Sequence, residues 1–248
     1  MTSREITPFL PLAAEDGWLE QRRPVSARLF TVAFALIQWP WLLKSLSGGR
    51  PADKAALLQE LELPADSLPN LGSWKADVFY LRQIVEHVRV LRPAQVVELG
   101  AGASSLVAAR ALQREGHGSL IAFDQHPAFV EATANWMAGL GIPADVRIAP
   151  LGPPPADWPG AWYQLSGLPD RIDLLLVDGP HWTLHPYVRG SADWLFDRIP
   201  VGGVVLLDDG ARPGERIVMA RWKKRWPGFR FERLPGGTKG LIRGERMA

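Results

Sequence analysis

Four apolar runs of this 248-residue chain carry acid at or beside their ends: "VVEL" with Glu98, "LIAFD" with Asp124, "DLLLVD" with Asp178, and "VVLLDD" with Asp208 and Asp209. The first leads directly into Gly100-x-Gly102, where the backbone can turn sharply and approach a ligand because no Cβ intervenes. Ser104 and Ser105 follow and can cap a helix, whose free N–H groups favour an anionic group such as a ligand carboxylate. Asp124 stands 24 residues after Gly100, a remove suited to accepting hydrogen bonds from ribose hydroxyls. Glu98 narrows the choice. A carboxylate beside the turn repels a pyrophosphate and suits a ligand that bears an amino group and a positive centre.

Those residues have to be positioned by strands. From Trp74 onward the chain alternates: "WKADVFYLRQIVEHVRVL" reads as an amphipathic helix, "QVVEL" as a buried strand, "SSLVAARALQREG" as a helix stopped by Gly116, and "SLIAFD" as a second strand. "PAFVEATANWMAGLG" is the next helix and "ADVRIAPL" a third strand; "IDLLLVD" and "GGVVLLDD" are the fourth and fifth, separated by a helix over "LHPYVRGSADWLFDRI". A helix over "GERIVMARWKKRW" and a hairpin from "FRFERL" and "GLIRG" complete the chain. Continuous apolar strands between helices predict an α/β, doubly wound, mostly parallel seven-stranded sheet with a C-terminal antiparallel hairpin. Ligands of such sheets bind outside the carboxyl ends of the strands, where the acids lie.

Residues 1–72 read as a separate N-terminal helical segment, with a short helix before Pro24, an apolar one over 28–46 and "PADKAALLQELEL" over 51–63, ahead of the domain at 73–248. The apolar stretch from Leu29 to Leu43 is interrupted by Gln38 and Pro40 and falls short of the about 20 residues that span a bilayer. A kinked helix buried in the core or covering a cleft is expected. The other reading is a helix lying in a membrane surface, with Trp39 and Trp41 as anchors and Arg22, Arg23 and Arg28 beside them.

Composition excludes several classes. With no cysteine, disulfides, thiolate metal sites and cysteine nucleophiles are out. Residues 211–248 carry eleven Arg or Lys against Glu215, Glu232 and Glu245, yet aromatic residues are not interleaved in the way a base-stacking platform would require, so nucleic acid is not the expected partner. The first residues lack a secretory pattern, which makes the cytoplasm the expected location.

At this point the sequence resembles the class I S-adenosylmethionine (SAM)-dependent methyltransferases. "VELGAGASS" is similar to their first motif, "IAFD" to the ribose-binding second strand, and "DLLLVDGPH" and "GGVVLLDD" to the fourth and fifth strands, over about residues 74–248. Within that Rossmann-like superfamily the likeness is strongest to bacterial small-molecule O-methyltransferases. The resemblance implies that Glu98, Gly100, Gly102, Ser104 and Ser105 hold the methionine end of SAM, that Asp124 holds the ribose, and that adenine lies near Pro150 and Leu151 with Trp162 or Tyr163 as a wall. In the metal-dependent, catechol-type relatives, acids at the places of Asp178, Asp208 and Asp209 bind Mg²⁺ or another divalent cation. Their base stands three residues after the first ligand, here His181, with Asp178 shared between cofactor, metal and catalysis. Either a metal or a positioned base answers the need to deprotonate a hydroxyl acceptor.

Ser104 departs from the frequent third glycine of the family. The acceptor, a small molecule, is expected against the N-terminal helices, the stretch 182–190 and the loop after Asp209. Two rival readings are an NAD-linked Rossmann oxidoreductase, disfavoured by Ser105 at the third glycine position and by Glu98, and an inactive SAM-fold module that binds a membrane surface through residues 28–46.

Overall fold

Val-, Leu- and Ile-rich runs of four to six residues cannot bury both faces unless helices cover each side. The computed structural model describes residues 25–248 apart from Ala144 and Ala156; the short helix expected before Pro24, with Arg22 and Arg23, lies outside the described residues. The helices are α1 Val25–Ser45, α2 Pro51–Glu60, α3 Val78–Leu91, α4 Ala103–Glu115, α5 Pro127–Gly139 and α6 Pro213–Arg225. The strands are β1 Gln95–Leu99, β2 Ser119–Asp124, β3 Val146–Ile148, β4 Leu151–Gly152, β5 Trp162–Tyr163, β6 Leu174–Val177, β7 Val204–Asp208, β8 Phe229–Leu234 and β9 Leu241–Arg246.

Seven strands form one sheet in the order β3-β2-β1-β6-β7-β9-β8. The first five are parallel, and β9 and β8 add the antiparallel hairpin. Side chains alternate across it. Val96, Leu174, Leu176 and Leu206 pack under α3 and α4, whereas Val97, Leu175, Val177 and Leu207 pack with Val218 and Trp222 of α6. Between β1 and β6 the direction of winding reverses, which opens the crevice where the acidic strand ends meet.

Several boundaries differ from expectation. α3 begins at Val78, not Trp74, because Asp77 Oδ1 accepts from Tyr80 N at 2.8 Å and caps the helix there. The third strand stops at Ile148; after Pro150 the chain forms β4, which pairs with β5 in a separate two-stranded ribbon. The helix expected over 184–199 is instead turns followed by a 3₁₀ helix, Val188–Arg198. Gly190 is held there by tertiary contact: a Cβ would lie 2.2 Å from Trp158, and its carbonyl accepts from Trp222 Nε1 at 2.9 Å.

The part of the N-terminal segment around α2 is not set apart from the core. Leu57, Leu58, Leu61 and Leu68 are buried in the same cluster as α3 and α4. α1 corrects the expectation of a core helix: Leu29, Val32, Leu36, Ile37 and Trp39 are all more than half exposed, while Thr31, Phe34, Gln38 and Ser45 face inward. It rests on the stretch after His181, with Phe30 stacked on His185 at 5.3 Å and Phe34 edge-on to Tyr187 at 5.6 Å.

Candidate active site

The β1–α4 turn is built by glycine. Gly100 has φ +97° and Gly102 φ +153°, and a Cβ on Gly100 would stand 2.7 Å from Gly179 N, so the β1 and β6 ends approach each other only because it is absent. Ser105 Oγ accepts from Gly102 N at 2.9 Å and donates to Glu98 Oε2. Glu98 shares the face of Val96, so strand alternation turns its carboxylate beneath α4. Burial raises its pKa to about 8, against the hydrogen bonds from Ser104 and Ser105, with Asp178 and Asp124 adding to the rise. Its other oxygen, Oε1, has no hydrogen-bond partner among the described residues.

A cavity of about 650 Å³ opens over this turn. Of the residues singled out in the sequence, Gly100, Gly102, Ser104, Asp124, Asp178 and His181 line it. Glu98, Ser105, Leu151, Asp208 and Asp209 do not; the first two lie behind the turn, and Leu151 is packed in the core with Trp162. Tyr163, not Trp162, is the aromatic residue of that pair that reaches the cavity. Asp124 accepts from His126 N at 3.0 Å; burial outweighs that hydrogen bond and raises its pKa to about 6.

The opposite wall was not legible. Ser67, Trp74 and Lys75 come from the stretch before α3, and Phe129 and Trp136 from α5. Lys75 is buried beside the Trp74 ring, 5.3 Å from its centroid, and its Nζ makes no hydrogen bond to any described residue. Their spacing carries no signal, since they are brought together by the return of a segment that has no periodicity of its own.

His181 sits at the cavity rim with Nδ1 2.8 Å from Thr183 Oγ1. The residue is exposed, yet desolvation around the ring and then the positive charges of Arg189 and Arg212 lower its pKa to about 4. The imidazole is therefore neutral at physiological pH.

Asp178, Asp208 and Asp209 do converge, with carboxylate oxygens within 4.8 Å of one another. The chain's own cations are already among them. Lys239 Nζ lies 3.0 Å from Asp208 Oδ2 and 3.4 Å from Asp209 Oδ1. Arg189 reaches Asp209 at 2.8 Å and Asp178 at 3.1 Å, and Arg212 reaches Asp209 at 2.8 Å. Burial works against ionisation of Asp209, but Arg212, Lys239 and Arg189 outweigh it and hold the carboxyl well below its ordinary range. Burial would likewise lower the Lys239 pKa, yet Asp208 and Asp209 raise it. A donor set spanned by an ammonium and a guanidinium does not fit a divalent cation, which needs several oxygens free of competing positive charge.

Residues 97–210, from β1 through the second acid of the Asp208–Asp209 pair, match the family model described as a methyltransferase domain. Over that stretch the chain is similar to methyltransferase domains. The oxidoreductase reading falls away with that match. No curated protein matches the chain. Among solved structures, the chain is similar to the O-methyltransferase TomG from Streptomyces achromogenes, involved in tomaymycin synthesis and solved with SAM: 18% identity, TM-score 0.51, covering 80% of this chain and 89% of that one. The Podospora anserina methyltransferase PaMTH1, solved with S-adenosylhomocysteine (SAH), gives 16% identity and TM-score 0.54 over 81% and 90%. An O-methyltransferase from Bacillus cereus, also with SAH, gives 16% and 0.51 over 80% and 92%. At these identities the likeness is one of fold.

Proposed function

We propose that the methyltransferase moves a methyl group from SAM to a hydroxyl oxygen of a small-molecule acceptor. One observation carries this: the glycine turn, Asp124 and His181 face a single cavity from three different strand ends. Gly100, Gly102 and the first turn of α4 at Ser104 would take the methionine end, where helix N–H groups favour a carboxylate. Asp124 would accept from the ribose hydroxyls, and Tyr163 would wall the nucleoside. The neighbours solved with SAM or SAH support that choice of donor.

When bound, the sulfonium supplies the methyl group and leaves as the neutral thioether. His181 would take the acceptor's proton. Nδ1 lies 2.8 Å from Thr183 Oγ1 and accepts from Thr183 N at 3.4 Å, so proton uptake at Nε2 as the new O–C bond forms would require the tautomer that carries its proton on Nδ1. Asp178 would orient the loop that carries His181 through Arg189, which bonds both Asp178 and the carbonyl of Pro180. Titration calorimetry with SAH and with NADH tests the reading: SAH binding alone is expected, and NADH binding without SAH would overturn it.

A separate observation favours contact with a membrane surface. The outer side of α1 presents Leu29, Leu36 and Trp39 to solvent. Arg216 of neighbouring α6 lies 5.9 Å from the Trp41 ring, and Arg221, Lys223 and Lys224 are exposed along the same helix. Apolar side chains beside exposed basic ones suit an interfacial helix on anionic lipid.

A further inference from the structure

The cluster beneath the acceptor side of the cavity contains four acids, Asp178, Asp208, Asp209 and Glu215, and three cations, Arg189, Arg212 and Lys239. Every one of these side chains except Asp178 is nearly inaccessible. Buried charge persists only where opposite charge compensates it. By formal charge the four acids exceed the three cations by one unit, and the cations come from three separate parts of the chain. Arg212, Glu215 and Lys239 lie beyond residue 210, outside the stretch that matches the methyltransferase family model.

Lys239 is placed deliberately by its surroundings. Its backbone N donates to Asp77 Oδ2 at 3.2 Å, and Thr238 N donates to the same oxygen at 2.7 Å, so the residue that caps α3 also fixes the loop that delivers the ammonium. Lys239 and Asp208 then meet across the β7–β9 edge, with Ala211 N donating to Lys239 O at 2.9 Å. Three buried oxygens of these acids, Asp208 Oδ1, Asp209 Oδ1 and Glu215 Oε2, make no hydrogen bond among the described residues, and none of the three residues lines the cavity. An ion held by those oxygens would reach the cavity only past Asp178 and Arg189. Of the three cations, Arg189 is the one whose residue lines the cavity, beside Asp178 and His181.

We infer that Lys239, Arg189 and Arg212 take the place of a divalent cation beneath the acceptor site, so that methyl transfer in this protein is metal-free and Arg189 presents the positive charge that faces the developing acceptor oxyanion. The inference rests on the proposed methyl transfer for its chemistry and on the ion pairs for its geometry. It has a consequence for the acceptor class: without an open metal there is nothing to chelate, so a single hydroxyl suffices and a vicinal pair of oxygens confers no advantage.

The test is Mn²⁺ titration of the full-length protein, followed by electron paramagnetic resonance, with SAH binding measured calorimetrically on the same preparation in chelator and in excess Mg²⁺. No saturable Mn²⁺ site is expected, and the SAH dissociation constant should agree within twofold between the two conditions. Mn²⁺ uptake that Asp209→Asn leaves unchanged lies elsewhere on the surface and also agrees with the inference. One equivalent of bound Mn²⁺ that Asp209→Asn removes would overturn it. If SAH itself does not bind, the proposed methyl transfer fails, whereas the Mn²⁺ result still decides whether the cluster holds a metal.

Discussion

Lys239 Nζ and Asp208 Oδ2 are 3.0 Å apart, both side chains wholly inaccessible, although 31 residues separate them in sequence. Such a pair contributes little relative to an apolar replacement of both partners, but removing one partner strands the other charge in the interior. Lys239→Met keeps most of the stem volume and deletes the ammonium. It should cost about 3–5 kcal/mol in denaturant unfolding, and Lys239→Met with Asp208→Leu should recover much of that. A single variant as stable as the parent would show that the cluster is not held by this contact.

Glu98 governs a pH dependence of stability. Its pKa is about 8 in the folded chain against 4.5 as the unperturbed value. Between these the native state keeps a proton that the unfolded chain has released, so stability falls as pH rises through that window and levels off, for this group, above it. Glu98→Gln abolishes the ionisation while leaving an oxygen for Ser105. Its melting temperature should gain on the parent progressively from about pH 5 to about pH 8, by roughly 2–4 °C for each kcal/mol. A constant difference across that range would refute the assignment.

His181→Ala should lower kcat by about 10²–10⁴-fold, the usual contribution of a positioned base, with SAH affinity unchanged. Because the His181 pKa is lowered to about 4, the base form persists below the ordinary histidine range. The acid limb of the kcat/KM profile, which reports the free enzyme, should therefore lie well under the unperturbed value of about 6.5. An acid limb at the ordinary histidine position would point to a different base.

Asp124→Ala should weaken SAH binding by roughly ten- to a hundredfold, the range expected when hydrogen bonds to a charged group are lost. The same substitution should leave the unfolding transition cooperative, since the Asp124 side chain lies at the end of β2 and lines the cavity. SAH binding as tight as the parent's would remove Asp124 from the nucleoside site.

Leu36→Glu in α1 places a charge on the exposed apolar side without touching Phe34 or Gln38. Co-sedimentation with vesicles containing anionic lipid should drop sharply in this variant, with SAH binding intact. Equal sedimentation of parent and variant would exclude α1 as the contact.

The sequence by itself determined the layout of the sheet and the placing of acid at its carboxyl edge. Those features are local: apolar runs of strand length, Gly100 and Gly102 at a forced turn, and helical periodicity between them are all set within a few residues. It also brought Asp178, Asp208 and Asp209 together correctly, because parallel strands β6 and β7 are neighbours and their ends are level. Tertiary structure alone decided the direction in which each acid points and what it meets. Glu98 turns behind α4 because of strand alternation in this register, and α1 stays on the surface because the core is already filled by α2, α3 and α4. Above all, Arg189, Arg212 and Lys239 reach the acids from segments far along the chain. A charge carries no periodicity, so which acid a distant lysine neutralises is fixed only when the sheet has closed.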